Sequence, residues 1–274
     1  MKKNNFAVRF LYGTRAGRAL LELMLKSKID GLIVKFLWSP LSKPVIPLYI
    51  KMNKISMKDF QGQKYRTFRE FFVIEREPVE MDLNPGHLIS PCDGWLSAFP
   101  IEEDSSFRIK GSHYKLEDLI QDKELAKQFY DGDCLIFRLC ASDYHHYSYI
   151  DDGYQGVDHY IPGMLHSVQP IACDTYPVYT LNRRVWTLLQ TEHFGPVIQT
   201  EVGAFVVGGI VNENENGRFF RGMEKGHFEL AGSTIVLLFQ KDCICLRSQI
   251  RKRLAEGKEF RVKQGMWIGE KKKS

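Results

Sequence analysis

Three short segments of this 274-residue chain carry side chains able to do chemistry. Asp143-Tyr144-His145-His146-Tyr147-Ser148 sets two adjacent histidines behind an acid, directly after the apolar run Leu135–Leu139. Histidine exchanges a proton most readily near neutral pH, so a general base could sit here, although a polar strand end has the same composition. Ser90-Pro91-Cys92-Asp93-Gly94-Trp95 holds Asp93 beside a glycine, a pair that by itself reads as a turn. Gly226-His227-Phe228-Glu229-Leu230-Ala231-Gly232-Ser233-Thr234 runs into the apolar stretch Ile235–Phe239. Its Gly232-Ser233 step is either a plain strand entry or a cleavable bond. A small residue with an open carbonyl precedes a hydroxyl, which becomes a nucleophile once a base takes its proton.

Other chemistries find less support. The six cysteines form no CxxC pair and no zinc-ligand spacing, so no metal is expected and reduced thiols are. Cys243 and Cys245, two apart in an apolar stretch, read as packing on one strand face. Gly203, Gly208 and Gly209 lie in an apolar run with no helix after them, which argues against a dinucleotide site. Nucleic acid is not an expected partner, because the positive charge accompanies apolar helices instead of an aromatic-studded groove.

The elements that must position these groups fall into two textures. From about residue 86, β-branched and aromatic runs alternate with Gly, Asp and Asn turns. Strands are expected at Cys134–Leu139, Val185–Gln190, Val197–Val211 and Thr234–Phe239, with a helix over Lys115–Tyr130. Before that, residues 14–38 read as helix, with Leu20, Leu21, Leu23, Met24 and Leu25 flanked by Arg15, Arg18, Lys26 and Lys28. A second helical piece, Ile29–Trp38, ends before Pro40. The fold class is therefore α+β: a mostly antiparallel β body behind an amphipathic helical N-terminal region.

Charge divides the same way. The net +5 combines residues 1–76, with 16 Lys and Arg against 5 Asp and Glu, and a remainder with 22 against 28. Such a basic amphipathic stretch either lies in a membrane interface or packs as a layer on the body. The longest apolar run, Leu32–Trp38, contains Lys35, so no membrane-spanning helix is expected, and no secretory signal is read in residues 1–28. The expected division is 1–76, helical and membrane-associating, and 77–274, β-rich and catalytic.

Taken in order, the motifs resemble the phosphatidylserine decarboxylase family. Phe68-Arg69-Glu70-Phe71-Phe72 with Arg76 is similar to its FxxFFxR segment, and Pro91-Cys92-Asp93-Gly94 to its PxDG. Phe107–Lys110 with Gly111, Tyr114 and Leu116 follows, and then Arg138-Leu139 through Asp143-Tyr144-His145. Pro162-Gly163 with Leu165, Ser167 and Val168, then Asn182 with Arg184, then Val202-Gly203-Ala204 with Val207-Gly208, keep the family order. Gly232-Ser233-Thr234 stands at the processing motif, after Ala231 where leucine is most familiar. Singly these matches are weak; their joint order spans about 200 residues.

The resemblance implies a chain that makes its own cofactor. Ser233 attacks the Gly232 carbonyl, and the cut leaves a β chain, 1–232, and an α chain, 233–274, that begins with a pyruvoyl group. That carbonyl would form a Schiff base with the amine of phosphatidylserine and accept the electrons left as CO2 departs, giving phosphatidylethanolamine. A histidine oriented by Asp93 would activate Ser233, on serine–histidine–acid logic. The resemblance also favours membrane contact for residues 14–38 and a peripheral place on the cytoplasmic face of the cell membrane. Implied partners are phosphatidylserine in the bilayer and the chain's own two products, with a second copy of the chain as a further candidate.

One departure affects the histidine roles. The family's second histidine after DYH is Ser148 here, and His146 stands where arginine is usual. Either His145 serves both processing and decarboxylation, or His146 or another histidine takes the first role. The candidates rank His145, His146, then His227, with His166 a further outsider. Rival readings are a pyruvoyl decarboxylase of another serine phospholipid or of a soluble amino acid, and a non-catalytic lipid-binding homologue.

Overall fold

The computed structural model describes residues 6–26, 29–60, 62–102, 106–109, 112–204, 209–229 and 232–272. It opens on helices α1 (Phe6–Gly13), α2 (Arg15–Lys26), α3 (Ile29–Leu37), α4 (Val45–Asn53) and α5 (Phe68–Phe72). The helical reading of 14–38 thus holds as two pieces around residues 27–28, which lie outside the described residues. Thr67 caps α5, its hydroxyl accepting from the Glu70 N–H at 3.1 Å. The single helix expected over Lys115–Tyr130 is instead two, α6 (Leu116–Ile120) and α7 (Lys123–Lys127). Gln121 ends α6 in a left-handed conformation, φ 55°, and Asp122 restarts the chain by capping the Leu125 N–H. The short helices α8 (Pro170–Cys173) and α9 (Val178–Leu181) and then α10 (Ser248–Ala255) complete the helical set.

The strands are β1 (His87–Ile89), β2 (Gly94–Pro100), β3 (Ser106–Ile109), β4 (Ser112–Lys115), β5 (Asp133–Leu139), β6 (His146–Ser148), β7 (Gly153–Ile161) and β8 (Arg184–Thr191). They continue with β9 (Gly195–Gly203), β10 (Ile210–Asn212), β11 (Gly217–Phe219), β12 (Glu224–Phe228), β13 (Ser233–Phe239), β14 (Ile244–Leu246), β15 (Phe260–Val262) and β16 (Trp267–Lys271). Eight form one antiparallel sheet in the order β11-β7-β8-β9-β13-β5-β2-β15. Two three-stranded sheets, β10-β12-β6 and β1-β16-β14, accompany it. The run read as one strand over Val197–Val211 is two: β9 ends at Gly203, residues 205–208 lie outside the described residues, and β10 belongs to another sheet.

Alternation along the central strands sorts the core into two layers. Ile136, Ile198, Val202, Val236 and Leu238 face the helices, packing with Leu116, Leu119, Ala172, Val178 and Tyr179. Leu11, Tyr12 and Leu21 belong to this layer, so α1 and α2 are anchored on the β body. Leu135, Phe137, Leu139, Ile235, Leu237 and Phe239 face the other way, against Tyr147, Phe228 and Ile268 of the smaller sheets and Tyr149 just after β6. A third cluster of Ile46, Phe68, Phe71 and Phe72 joins α4 to α5. The α+β class and the antiparallel β body both stand.

Candidate active site

Ser233 opens β13, the strand between β5 and β9, with Leu139 and Gly203 as its register partners. It is 1% exposed, because both neighbours and the layer above cover it. Gly232, just before it, has φ +85°, a left-handed conformation that costs glycine little and other residues much. That conformation turns the chain into the strand and leaves the Gly232–Ser233 step at the strand mouth.

His145 meets Ser233 from the next layer. Its backbone carbonyl accepts the Phe228 N–H at 3.0 Å, just before β6 pairs with β12. Its Nδ1 lies 3.1 Å from Ser233 Oγ, and its Nε2 lies 3.1 Å from the Cys140 carbonyl. A carbonyl can only accept, so Nε2 carries the proton and Nδ1 is the lone pair facing the serine hydroxyl. This is the geometry of a general base beside its nucleophile. Phe72 packs 4.7 Å from the ring, centre to centre, and the side chain is buried. Burial lowers the His145 pKa to about 4, against the opposing pull of Asp143 and the Cys140 carbonyl. The ring is therefore neutral, and ready to accept a proton, at neutral pH.

Asp93 sits in the turn between β1 and β2. The turn lies tight on β5 because a side chain at Gly94 would meet the Arg138 carbonyl oxygen at 2.9 Å. The Asp93 carboxylate accepts from Lys263 Nζ at 2.6 Å, from the Gln264 N–H at 3.0 Å, and from Arg76 Nη1 at 3.2 Å. Burial would raise its pKa, but Arg76, Lys263 and the Gln264 N–H together hold it below the usual carboxylate range. Among its hydrogen bonds to described residues none goes to a histidine; its charge reaches His145 through space and favours the protonated ring. Arg76 also bonds Gln264 Oε1 at 2.8 Å and lies over the Tyr144 ring at 4.3 Å. A cleft lined by Phe72, Arg76, Asp93, Tyr144, His145 and Lys263 opens here.

The other histidines lie elsewhere. His146 Nδ1 is 2.7 Å from Glu224 Oε1 and its Nε2 is 3.2 Å from the Val73 carbonyl, so neither nitrogen is directed at Ser233. His227 stacks on His146, and His166 Nδ1 lies 3.4 Å from the Tyr12 hydroxyl, in the layer that faces the helices. Ser148 is buried, with its hydroxyl 3.4 Å from the Pro91 carbonyl. The structure brings together Ser233, His145 and the Asp93 region, and leaves His146 at the edge.

Sequence reasoning missed Lys263 and Gln264, which lie 170 and 171 positions after Asp93 and carry no local signal. Arg76 was visible as a motif position, but its ion pair with Asp93 was not. Two residues along β9 from Gly203, on Ser233's face, Glu201 pairs with Lys225 at 3.0 Å, both wholly buried.

A buried serine at a Gly-Ser step, facing a neutral histidine, is an arrangement able to activate a serine hydroxyl. Residues 66–270 match the model of the phosphatidylserine decarboxylase family. The chain is 39% identical over 269 residues to phosphatidylserine decarboxylase proenzyme 2 of Clostridium acetobutylicum, covering 97% of this chain and 92% of the relative. It is 37% identical over 270 residues to the phosphatidylserine decarboxylase proenzyme of Clostridium kluyveri, covering 96% and 91%. Against the proenzyme of Clostridium perfringens it is 36% identical over 272 residues, covering 96% and 92%. The chain belongs to the phosphatidylserine decarboxylase family.

Proposed function

We infer that the chain is a phosphatidylserine decarboxylase proenzyme that cuts itself between Gly232 and Ser233. The observation that carries this is His145 Nδ1 at 3.1 Å from Ser233 Oγ, beside a glycine carbonyl at a strand mouth. His145 takes the hydroxyl proton as Oγ bonds to the Gly232 carbonyl carbon, and the amide becomes an ester as its nitrogen is released as the amine. Elimination frees the Gly232 carboxylate at the end of chain 1–232. Water then displaces ammonia at position 233, leaving a pyruvoyl group at the head of 233–274. The residues around Ser233 suit this group: the cleft beside His145 gives water and substrate a way in, and Gly203 gives the position a neighbour without a side chain.

When formed, the pyruvoyl group supplies an electrophilic carbonyl that binds the substrate amine and accepts electrons as CO2 leaves. His145, already beside position 233, then holds the proton delivered to the carbon that lost CO2. Lys263, Arg76 and the cleft present cations to an anionic headgroup, while Asp93 keeps the two cations in place.

Helices α2 to α4 support a bilayer as the place of the substrate. Among the described residues no helix is long and apolar enough to cross a membrane. Leu23, Leu32, Leu41 and Met52 are nevertheless each at least 65% exposed, with Trp38 and Leu48 also open and Lys35, Lys43 and Lys51 beside them. Large apolar side chains interleaved with cations suit an anionic interface. The test is CO2 release from phosphatidylserine in vesicles and from soluble phosphoserine. Deleting the helices would remove Leu21 from the core, so a Leu23→Asp/Leu32→Asp variant is the better probe. Vesicle turnover and vesicle binding are expected to fall about tenfold or more, given the lost apolar burial. CO2 release from soluble phosphoserine alone would overturn the lipid reading.

A further inference from the structure

Strands β6 and β12 place His146 directly opposite His227, with their rings stacked 5.0 Å apart. Glu224, at the start of β12, brings Oε1 to 2.7 Å from His146 Nδ1. The ring is fixed from two other sides: Tyr144 stacks on it at 4.5 Å, and Nε2 points at the Val73 carbonyl, 3.2 Å away. That carbonyl accepts only, so Nε2–H donates to it and leaves Nδ1 to face the carboxylate oxygen. A proton on the ring bridges such a pair, and a metal ion can take that proton's place once the carboxylate moves back. His227 adds a second unsatisfied donor atom: its Nδ1 is buried without a hydrogen-bond partner and lies 3.4 Å from Glu213 Oε1.

We propose that His146, His227 and Glu224 form a binding site for one divalent transition-metal ion of zinc type, a site separate from the serine that is processed. One ligand atom from each of the three lies within 4.8 Å of the others. Tetrahedral zinc at bonds of about 2.0–2.1 Å needs ligand atoms about 3.4 Å apart, a separation reached by turning the half-exposed Glu224 and the His227 ring. Glu213 is placed to supply the fourth ligand or a counter-charge, and two carboxylates with two neutral imidazoles balance a dication. Imidazole and carboxylate donors suit zinc-like ions over calcium or magnesium. The Nε2–H bond to Val73 is the outer contact that orients a metal-bound histidine.

The site would tie together two strands that lead to the reacting groups. His145 immediately precedes β6, and β12 leads on toward Ser233. Occupancy therefore adds a cross-link between β6, which follows the base, and β12, which precedes the nucleophile's strand, without touching either group.

The test uses full-length protein, stripped with a chelator and titrated with Zn2+, then Co2+ as a spectroscopic substitute. Expected are one ion retained per chain after gel filtration, a raised melting temperature, and the visible d–d bands of four-coordinate Co2+ without a thiolate charge-transfer band. Glu224→Gln and His227→Ala are each expected to weaken binding at least about a hundredfold, beyond what loss of an outer contact does. Wild-type protein that retains no ion, shows a thiolate band from its cysteines, or binds no tighter than correctly folded Glu224→Gln overturns the assignment. The wild-type stoichiometry and Co2+ spectrum decide the matter even where a variant fails to fold.

Discussion

His145 and His146 are neighbours in the chain and sit in contrasting surroundings. The first is enclosed by Phe72 and Phe228, with one nitrogen on a carbonyl and the other on Ser233. The second lies in a polar cluster with Glu224 and His227, opening toward solvent through a carboxylate that is 40% exposed. Desolvation governs the first ring and keeps it a neutral base; the second ring faces a carboxylate, a pairing that suits a bound cation. The same residue type acquires two chemistries because one residue of chain separates a strand mouth from a strand edge.

The contrast can be broken in order of expected effect. Ser233→Ala removes the nucleophile, and the chain is expected to stay whole by intact mass after prolonged incubation. Partial cutting at the same bond would transfer the nucleophile to another group. His145→Ala is expected to slow processing by about 10²–10⁴-fold, the usual worth of a positioned base, followed by gel band ratios over time. Asp93→Asn leaves Arg76 facing a neutral group in a buried setting, costing on the order of 3 kcal/mol in a denaturation series and slowing processing. Cleavage at the wild-type rate would remove Asp93 from the machinery. His146→Ala is expected to change processing by less than about tenfold, well short of the loss from a positioned base. An effect as large as that of His145→Ala would erase the distinction between the two rings.

The pH response sharpens it further. Burial holds His145 at about 4, whereas an ordinary histidine titrates near ~6.5. The unfolded chain therefore takes up this proton first as pH falls. Stability from the neutral ring is present above about pH 6.5 and is lost as pH drops through about 4. Processing rates measured across that range are expected to stay within about twofold from pH 7 down to about 4.5 and to reach half near pH 4. A midpoint near 6.5 would mean that a more exposed histidine is the base.

Much of the positioning was legible in the sequence. The near-continuous apolar runs Ile235–Phe239 and Leu135–Leu139 read as strands buried on both faces, and Ser233 follows as the entry to the first of them. The three motif segments around Asp93, His145 and Ser233 do meet in space. What the sequence hid depends on pairing. The Lys263 and Gln264 contacts to Asp93 cross about 170 positions, and the His146–His227–Glu224 cluster exists only because β6 lies against β12. Metal-ligand spacing along the chain detects loops and helix faces, not side chains from facing strands. The break at Gln121 was equally hidden, since a left-handed glutamine leaves no compositional trace.

The central claim is that this chain turns its own Ser233 into its working group. Intact mass of the purified protein, with terminal chemistry on the smaller product, tests it most directly. The prediction is two chains, 1–232 and 233–274, with the smaller lacking a free amine and reacting with carbonyl reagents. A single chain at the full 31.8 kDa after long incubation, or a small product with an ordinary serine amine, would contradict it.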